Sequence, residues 1–206
     1  SAAVGWMNGP SRDAEATGFP GLALVGMLVG FGCAIVVAFK PTLARILGPI
    51  YALAQGFFLG VISKAYENFQ SGIVIQAIGA TLGVFLVMLV LYRTQVIRVT
   101  SKFRSVIMMA TFGLMIFYAI SFVIRLIAGA DSVSFLYEPS LLGIGFSIFA
   151  AGLAAMNLAL DFDFIERGSK EGLPKGMEWF AALGLVITLV WLYLELLRLL
   201  SKLQQR

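Results

Sequence analysis

Carboxylates stand in this chain where hydrocarbon would be expected. The run Asn157-Leu-Ala-Leu-Asp161-Phe-Asp163-Phe-Ile-Glu166-Arg167-Gly168 closes one long apolar segment, and the last apolar segment carries Glu178 and Glu195. An acid near a bilayer core costs a few kcal/mol on insertion scales unless it reaches water, a cation or a proton. Oxygen ligands alone suit hard cations such as calcium, or protons, so Asp161 is the candidate metal-facing group. With no histidine and a single cysteine, Cys33, inside an apolar run, soft-metal catalysis is excluded. Any response to pH near neutrality then falls to a carboxylate. No nucleotide loop, zincin helix or nucleophile elbow occurs, so the chain does not read as an enzyme and no cofactor is expected beyond a transported or sensed ion.

The elements that must hold these acids are written in the composition. Of 206 residues 60% are hydrophobic and 13% charged, with a mean hydropathy of +0.93; this is an all-α, polytopic membrane bundle rather than a soluble domain. Six apolar runs, at about 19–39, 46–64, 73–92, 105–127, 141–161 and 177–200, each approach the ~20 residues that cross the hydrocarbon. All belong to one transmembrane domain, 1–206. Residues 1–8 are too short to span and read as the end of a first helix. The net charge of +4 does not point to nucleic acid, because the basic residues sit in short loops between apolar runs. Loop 40–45 holds two Lys or Arg, loop 93–104 four, and loop 162–176 three, against single residues (Arg12, Lys64, Arg125) on the alternate side. The positive-inside rule places those three loops in the cytoplasm and the C-terminus outside, although Arg198, Lys202 and Arg206 then form a dissenting basic tail. The loop Asn8–Gly18 faces outward.

Small residues at Gly26/Gly30, Gly56/Gly60 and Gly79/Gly83 are notches for helix packing. Trp6, Trp179, Tyr66, Tyr92 and Tyr137 fall at span ends, as interfacial anchors do. Within the spans, Gln76 reads as interhelical glue, while Gln55 is a candidate to line a cavity. Asn157 and Asp161, four apart, share a helix face. Asp163 and Glu166 have a bland reading as the wet inner end of the fifth span, with Arg167 as solvated partner, beside a role as secondary acids. A helix continuing to Gly168 leaves Asp161 about two turns below its end. Its partner must come from the early part of the last span, where Glu178 stands at the start and Thr188 about 15 Å along. Glu195, about 25 Å from Glu178, does not reach Asp161. Two readings stay open for Glu195: neutralisation by Arg198 at i+3, or a place in the outer half of a pathway.

Several runs together resemble a bacterial branch of the Bax inhibitor-1 (transmembrane Bax inhibitor motif) family. They are Pro49-Ile-Tyr-Ala-Leu-Ala-Gln-Gly-Phe-Phe-Leu-Gly-Val-Ile-Ser63, Leu91-Tyr-Arg-Thr94, Ile97-Arg-Val-Thr100, the Asn157–Gly168 stretch, Met177-Glu-Trp179 and Val190-Trp-Leu-Tyr-Leu-Glu-Leu-Leu-Arg-Leu-Leu200. The resemblance implies a seven-helix bundle with six helices around the last, the first being truncated or only partly present here. It also implies a pH-sensitive calcium leak channel in the bacterial plasma (inner) membrane, with paired aspartates sharing a proton. Asp161 matches the penultimate-helix aspartate. One register puts Glu195 at the last-helix position and another puts Thr188 there, with no acid. A basic latch on an inner loop would be Arg45 or Lys40. The ion pathway and proton-sensing set is then Asp161, Thr188, Asn157, Gln55 and Glu195, with Asp163 and Glu178 as secondary acids. The alternative function is a non-transporting accessory subunit that modulates a membrane-bound AAA protease or another membrane complex.

Overall fold

A computed structural model describes Ala2, residues 21–128 and residues 138–205. The stub at 1–8, the loop Asn8–Gly18 with Arg12, the anchors Trp6 and Tyr137, and Arg206 lie outside the described residues. The rest is helical, without strands: α1 (Gly21–Phe39), a 3-10 turn (Pro41–Leu43), α2 (Ala44–Phe69), α3 (Ile73–Arg93), α4 (Ser101–Ala128), α5 (Leu141–Lys170) and α6 (Gly176–Gln204). Helices α2 to α6 are long and apolar enough to cross a bilayer, and Val25–Phe39 forms a shorter apolar helix. The chain is a multi-pass membrane protein. Helix is the only open-edged choice there, because each backbone group must find its partner within its own segment. Phe31 at 64% exposure and Ile75 at 76% show the outward faces to be apolar, which suits lipid and not water.

The ends of the helices carry their own signals. Thr100 accepts the backbone N–H of Phe103 at 3.1 Å, and Ser140 that of Gly143 at 3.0 Å, capping α4 and α5. Glu67 reaches forward to accept the N–H groups of Gly72 at 2.6 Å and Val74 at 3.2 Å, closing the turn from α2 into α3. Gly72 sits there at φ +83°, a conformation a side chain would strain.

Several expected boundaries move outward. Span 46–64 continues to Phe69, span 105–127 begins at Ser101, span 141–161 runs nine residues further to Lys170, and span 177–200 extends to Gln204. The expected loop 162–176 therefore shrinks to 171–175. Apolarity stops at the first acid, but i to i+4 bonding does not, and Glu166 takes Lys170 one turn on at 2.5 Å.

The chain divides into two compact units. The first comprises Ser1–Val74 and Ile165–Val186. In it α1 packs closely on α2: a Cβ at Gly26 would stand 3.0 Å from the Ala54 carbonyl oxygen, and one at Gly30 would overlap the Gln55 side chain. Val29, Gly32, Cys33, Val36, Leu43, Ile46 and Leu47 line an apolar crevice of about 420 Å³ in the same unit. The second comprises Ile75–Phe164 and Ile187–Arg206. Its core sets Leu114 of α4 against Ala150 and Leu153 of α5, with Phe117, Tyr118, Phe146 and Trp191 around them. Phe162 packs between Phe85 and Tyr92, with ring centroids at 5.6 and 5.9 Å. Tyr92 is thus a buried core residue rather than the expected anchor. Gly79 and Gly83 also depart from expectation: among the described residues nothing lies within 4 Å of either missing Cβ, so these notches hold no close neighbour.

Candidate functional site

The second unit gathers most of the polar side chains, and they fall into two groups joined by one seam. At the first, the Thr188 hydroxyl of α6 hydrogen-bonds the Asp161 carboxylate of α5. The other oxygen, Oδ2, is shut off from solvent and has no hydrogen-bond partner among the described residues. A buried oxygen without a donor costs on the order of 1–3 kcal/mol, more when charged. Helix length gives its depth. Thirty residues of α5 extend about 45 Å, against a hydrocarbon core of about 30 Å, so Asp161 stands about 6 Å inside that core when the helix is centred.

Asn157, one turn before Asp161, donates to the Thr111 hydroxyl of α4 at 2.8 Å and to the Leu153 carbonyl at 2.9 Å. Its amide N–H groups are thereby committed to holding α4 and α5 together. Asp163 is buried and ion-paired with Arg104 of α4 at 2.7 Å. The carboxylate expected to be wet is instead buried and ion-paired with the last residue of the basic loop. Among the described residues no group of three His, Cys, Asp or Glu side chains converges. Calcium takes six to eight oxygens when resident, so one carboxylate and one hydroxyl suit a passing ion rather than a fixed one.

The second group lies on the same helix face of α6. Glu195 is 2% exposed. Its Oε1 accepts from Tyr118 Oη at 2.7 Å, from Arg198 at 3.2 Å and from Trp191 Nε1 at 3.3 Å, and its Oε2 accepts from Arg198 at 3.1 Å. Arg198 also donates to the Tyr118 hydroxyl at 3.0 Å and lies 5.5 Å over its ring. One turn on, Lys202 is 2% exposed and donates to the Gly143 carbonyl and the Ser147 hydroxyl, both at 2.8 Å. Arg198 thus pairs with Glu195 at i+3, the first of the two readings open for that acid, while Lys202, expected in the basic tail, turns inward because α6 continues past Leu200. Near the end of α6, Gln204 donates to Gln76 at 2.8 Å, giving Gln76 its interhelical bond.

One register accounts for both groups. Asp161 and Ser147 are fourteen residues apart on α5, and Thr188 and Lys202 fourteen apart on α6. In antiparallel helices that places two polar crossings on one seam, about four turns or 21 Å apart. Between them Ala150, Ala154, Leu158 and Leu192 are fully buried, and Glu195 lies midway on α6. Sequence reasoning missed Ser147, Lys202, Tyr118 and Trp191; the shared fourteen-residue spacing was the available signal for Ser147 and Lys202 alone.

The remaining candidates belong to the first unit. Gln55 is buried against Gly30. Lys40, Arg45 and Glu178 are exposed.

A family model described as Bax inhibitor 1 like matches residues 1–205. No curated protein and no solved structure matches the chain.

Proposed function

Because the chain belongs to the Bax inhibitor 1-like family, we propose that it is a leak pathway for hard cations, calcium foremost, in which Asp161 is the inner acid. The observation that carries this reading is the Asp161 carboxylate, with one oxygen bonded to Thr188 and the other buried without a partner among the described residues. A group so placed exchanges its missing donor for a cation or a proton, which links conduction to proton binding. Thr188 and Asn157 support it from either side, and Thr188 stands in for a second carboxylate. The protein sits in a bacterial inner membrane with the connections 40–43, 94–100 and 171–175 on the cytoplasmic side, where Lys40 and Arg45 act as a latch. The inward turn of Arg198 and Lys202 supports that orientation, since it removes two cations from the dissenting tail.

Purified protein in calcium-loaded vesicles tests it. Asp161→Asn is expected to lower calcium flux at least tenfold, and flux unchanged by the substitution removes Asp161 from the mechanism. The close packing of Ala150, Ala154, Leu158 and Leu192 between Asp161 and Lys202 favours a second reading, a non-transporting subunit of a membrane-bound AAA protease. That reading predicts no flux from the pure protein and a large protease partner co-purified in mild detergent.

A further inference from the structure

We propose that Lys202 is an electrostatic barrier to cations, a fixed charge that closes the far end of the seam beginning at Asp161. The inference rests on the conduction reading above and adds the residue that would keep the leak small. A lysine beyond an apolar run normally extends its ammonium into water or headgroups. Lys202 does the opposite: it is 2% exposed, and its Nζ is held by a backbone carbonyl and a hydroxyl, Gly143 and Ser147, at 2.8 Å each. Neither partner carries charge. The nearest acid along the helix, Glu195, already takes two bonds from Arg198 and one each from Tyr118 and Trp191. Glu195 and Arg198 act on Lys202 with opposite signs, and among the described residues no carboxylate bonds its Nζ.

Such a charge costs free energy to bury, and the fold supplies two well-placed acceptors to keep it there. Glue alone would not require it, since a serine or glutamine reaching Ser147 would serve. What a cation adds is repulsion: fixed positive groups in a narrow path exclude cations without a moving part. Lys202 and Asp161 lie on one seam, about 21 Å apart by helix rise. When α5 and α6 part enough for a calcium ion to leave the acid along this seam, it passes the neutral Glu195–Arg198 pair and is repelled by the ammonium at the far end. Attraction at one crossing and repulsion at the other give a slow leak instead of an open pore.

The test uses vesicles holding the full chain, with calcium, potassium and chloride flux read separately. Lys202→Met keeps the length and removes the charge, and calcium and potassium flux are expected to rise at least tenfold with chloride unchanged. Lys202→Arg is expected to stay at the wild-type rate. Ser147→Asp reaches the same end by pairing the ammonium and decides the matter if Lys202→Met does not fold. Cation flux that fails to rise in folded protein overturns the barrier, and so does an equal rise in chloride, which marks a ruptured bundle. The double variant with Asp161→Asn separates the two proposals: a rise that persists keeps the barrier and removes Asp161. Wild-type flux that depends on Asp161, with no response at position 202, keeps the acid and removes the barrier. Silence from every variant overturns both.

Discussion

Removing the Glu195 carboxylate isolates what that acid does. Glu195→Ala leaves the Arg198 guanidinium without its acid and leaves Tyr118 Oη and Trp191 Nε1 without their acceptor. Truncating one partner of a buried pair costs about 3–5 kcal/mol. The Arg198 side chain retains 25% exposure and can recover some solvation, so the lower end, about 3 kcal/mol, is expected. Glu195→Gln keeps the shape and an acceptor for Tyr118 but loses the charge, and is expected to cost about half as much. The double variant Glu195→Leu with Arg198→Met removes the pair together and is expected to lie within about 1 kcal/mol of wild type. Reversible unfolding in detergent or bilayer, followed by tryptophan fluorescence, reads all three. A cost below about 1 kcal/mol for Glu195→Ala would refute the pairing argument. Cation flux that falls while stability holds would place Glu195 on the pathway instead.

Other expectations follow from single contacts. Asn157→Ala loses the bond to Thr111 and is expected to cost about 1 kcal/mol in the same unfolding assay. Gly30→Leu forces the Gln55 side chain aside and is expected to destabilise by about 1–3 kcal/mol, with recovery when Gln55→Ala is added. Asp163→Asn weakens the bond to Arg104 and is expected to loosen the start of α4, read as faster amide hydrogen exchange over residues 101–105. Glu67→Ala removes the acceptor for Gly72 and Val74 and is expected to cost about 1 kcal/mol, read by thermal unfolding.

Hydropathy was enough to find six apolar helices, because membrane crossing demands long uninterrupted runs. It was poor at finding their ends. α2 and α5 continue past Lys64 and Asp161 because backbone bonding is indifferent to the first charge when the next turn can pair it, as Lys170 pairs Glu166. The proximity of Asp161 to Thr188 was legible from topology, since antiparallel helices joined by a short turn fix which depths meet. Lys202 was not legible, because a lysine two residues beyond an apolar run looks the same whether it turns out or in. Only the hydroxyl of Ser147, at the matching depth on α5, distinguishes the two. The engagement of Asn157 with Thr111, and of Glu195 with Tyr118, depended on where α4 lies, and no sequence spacing encodes that.

Cys33, the sole thiol of the chain, is buried at 8% exposure on the apolar crevice of α1 and α2. Alkylation by a polar maleimide needs water to arrive with the reagent, so the native chain carries a built-in chronometer for breathing of that helix pair. Labelling kinetics at this one atom, followed by mass spectrometry with and without calcium, would time those openings without any engineered residue.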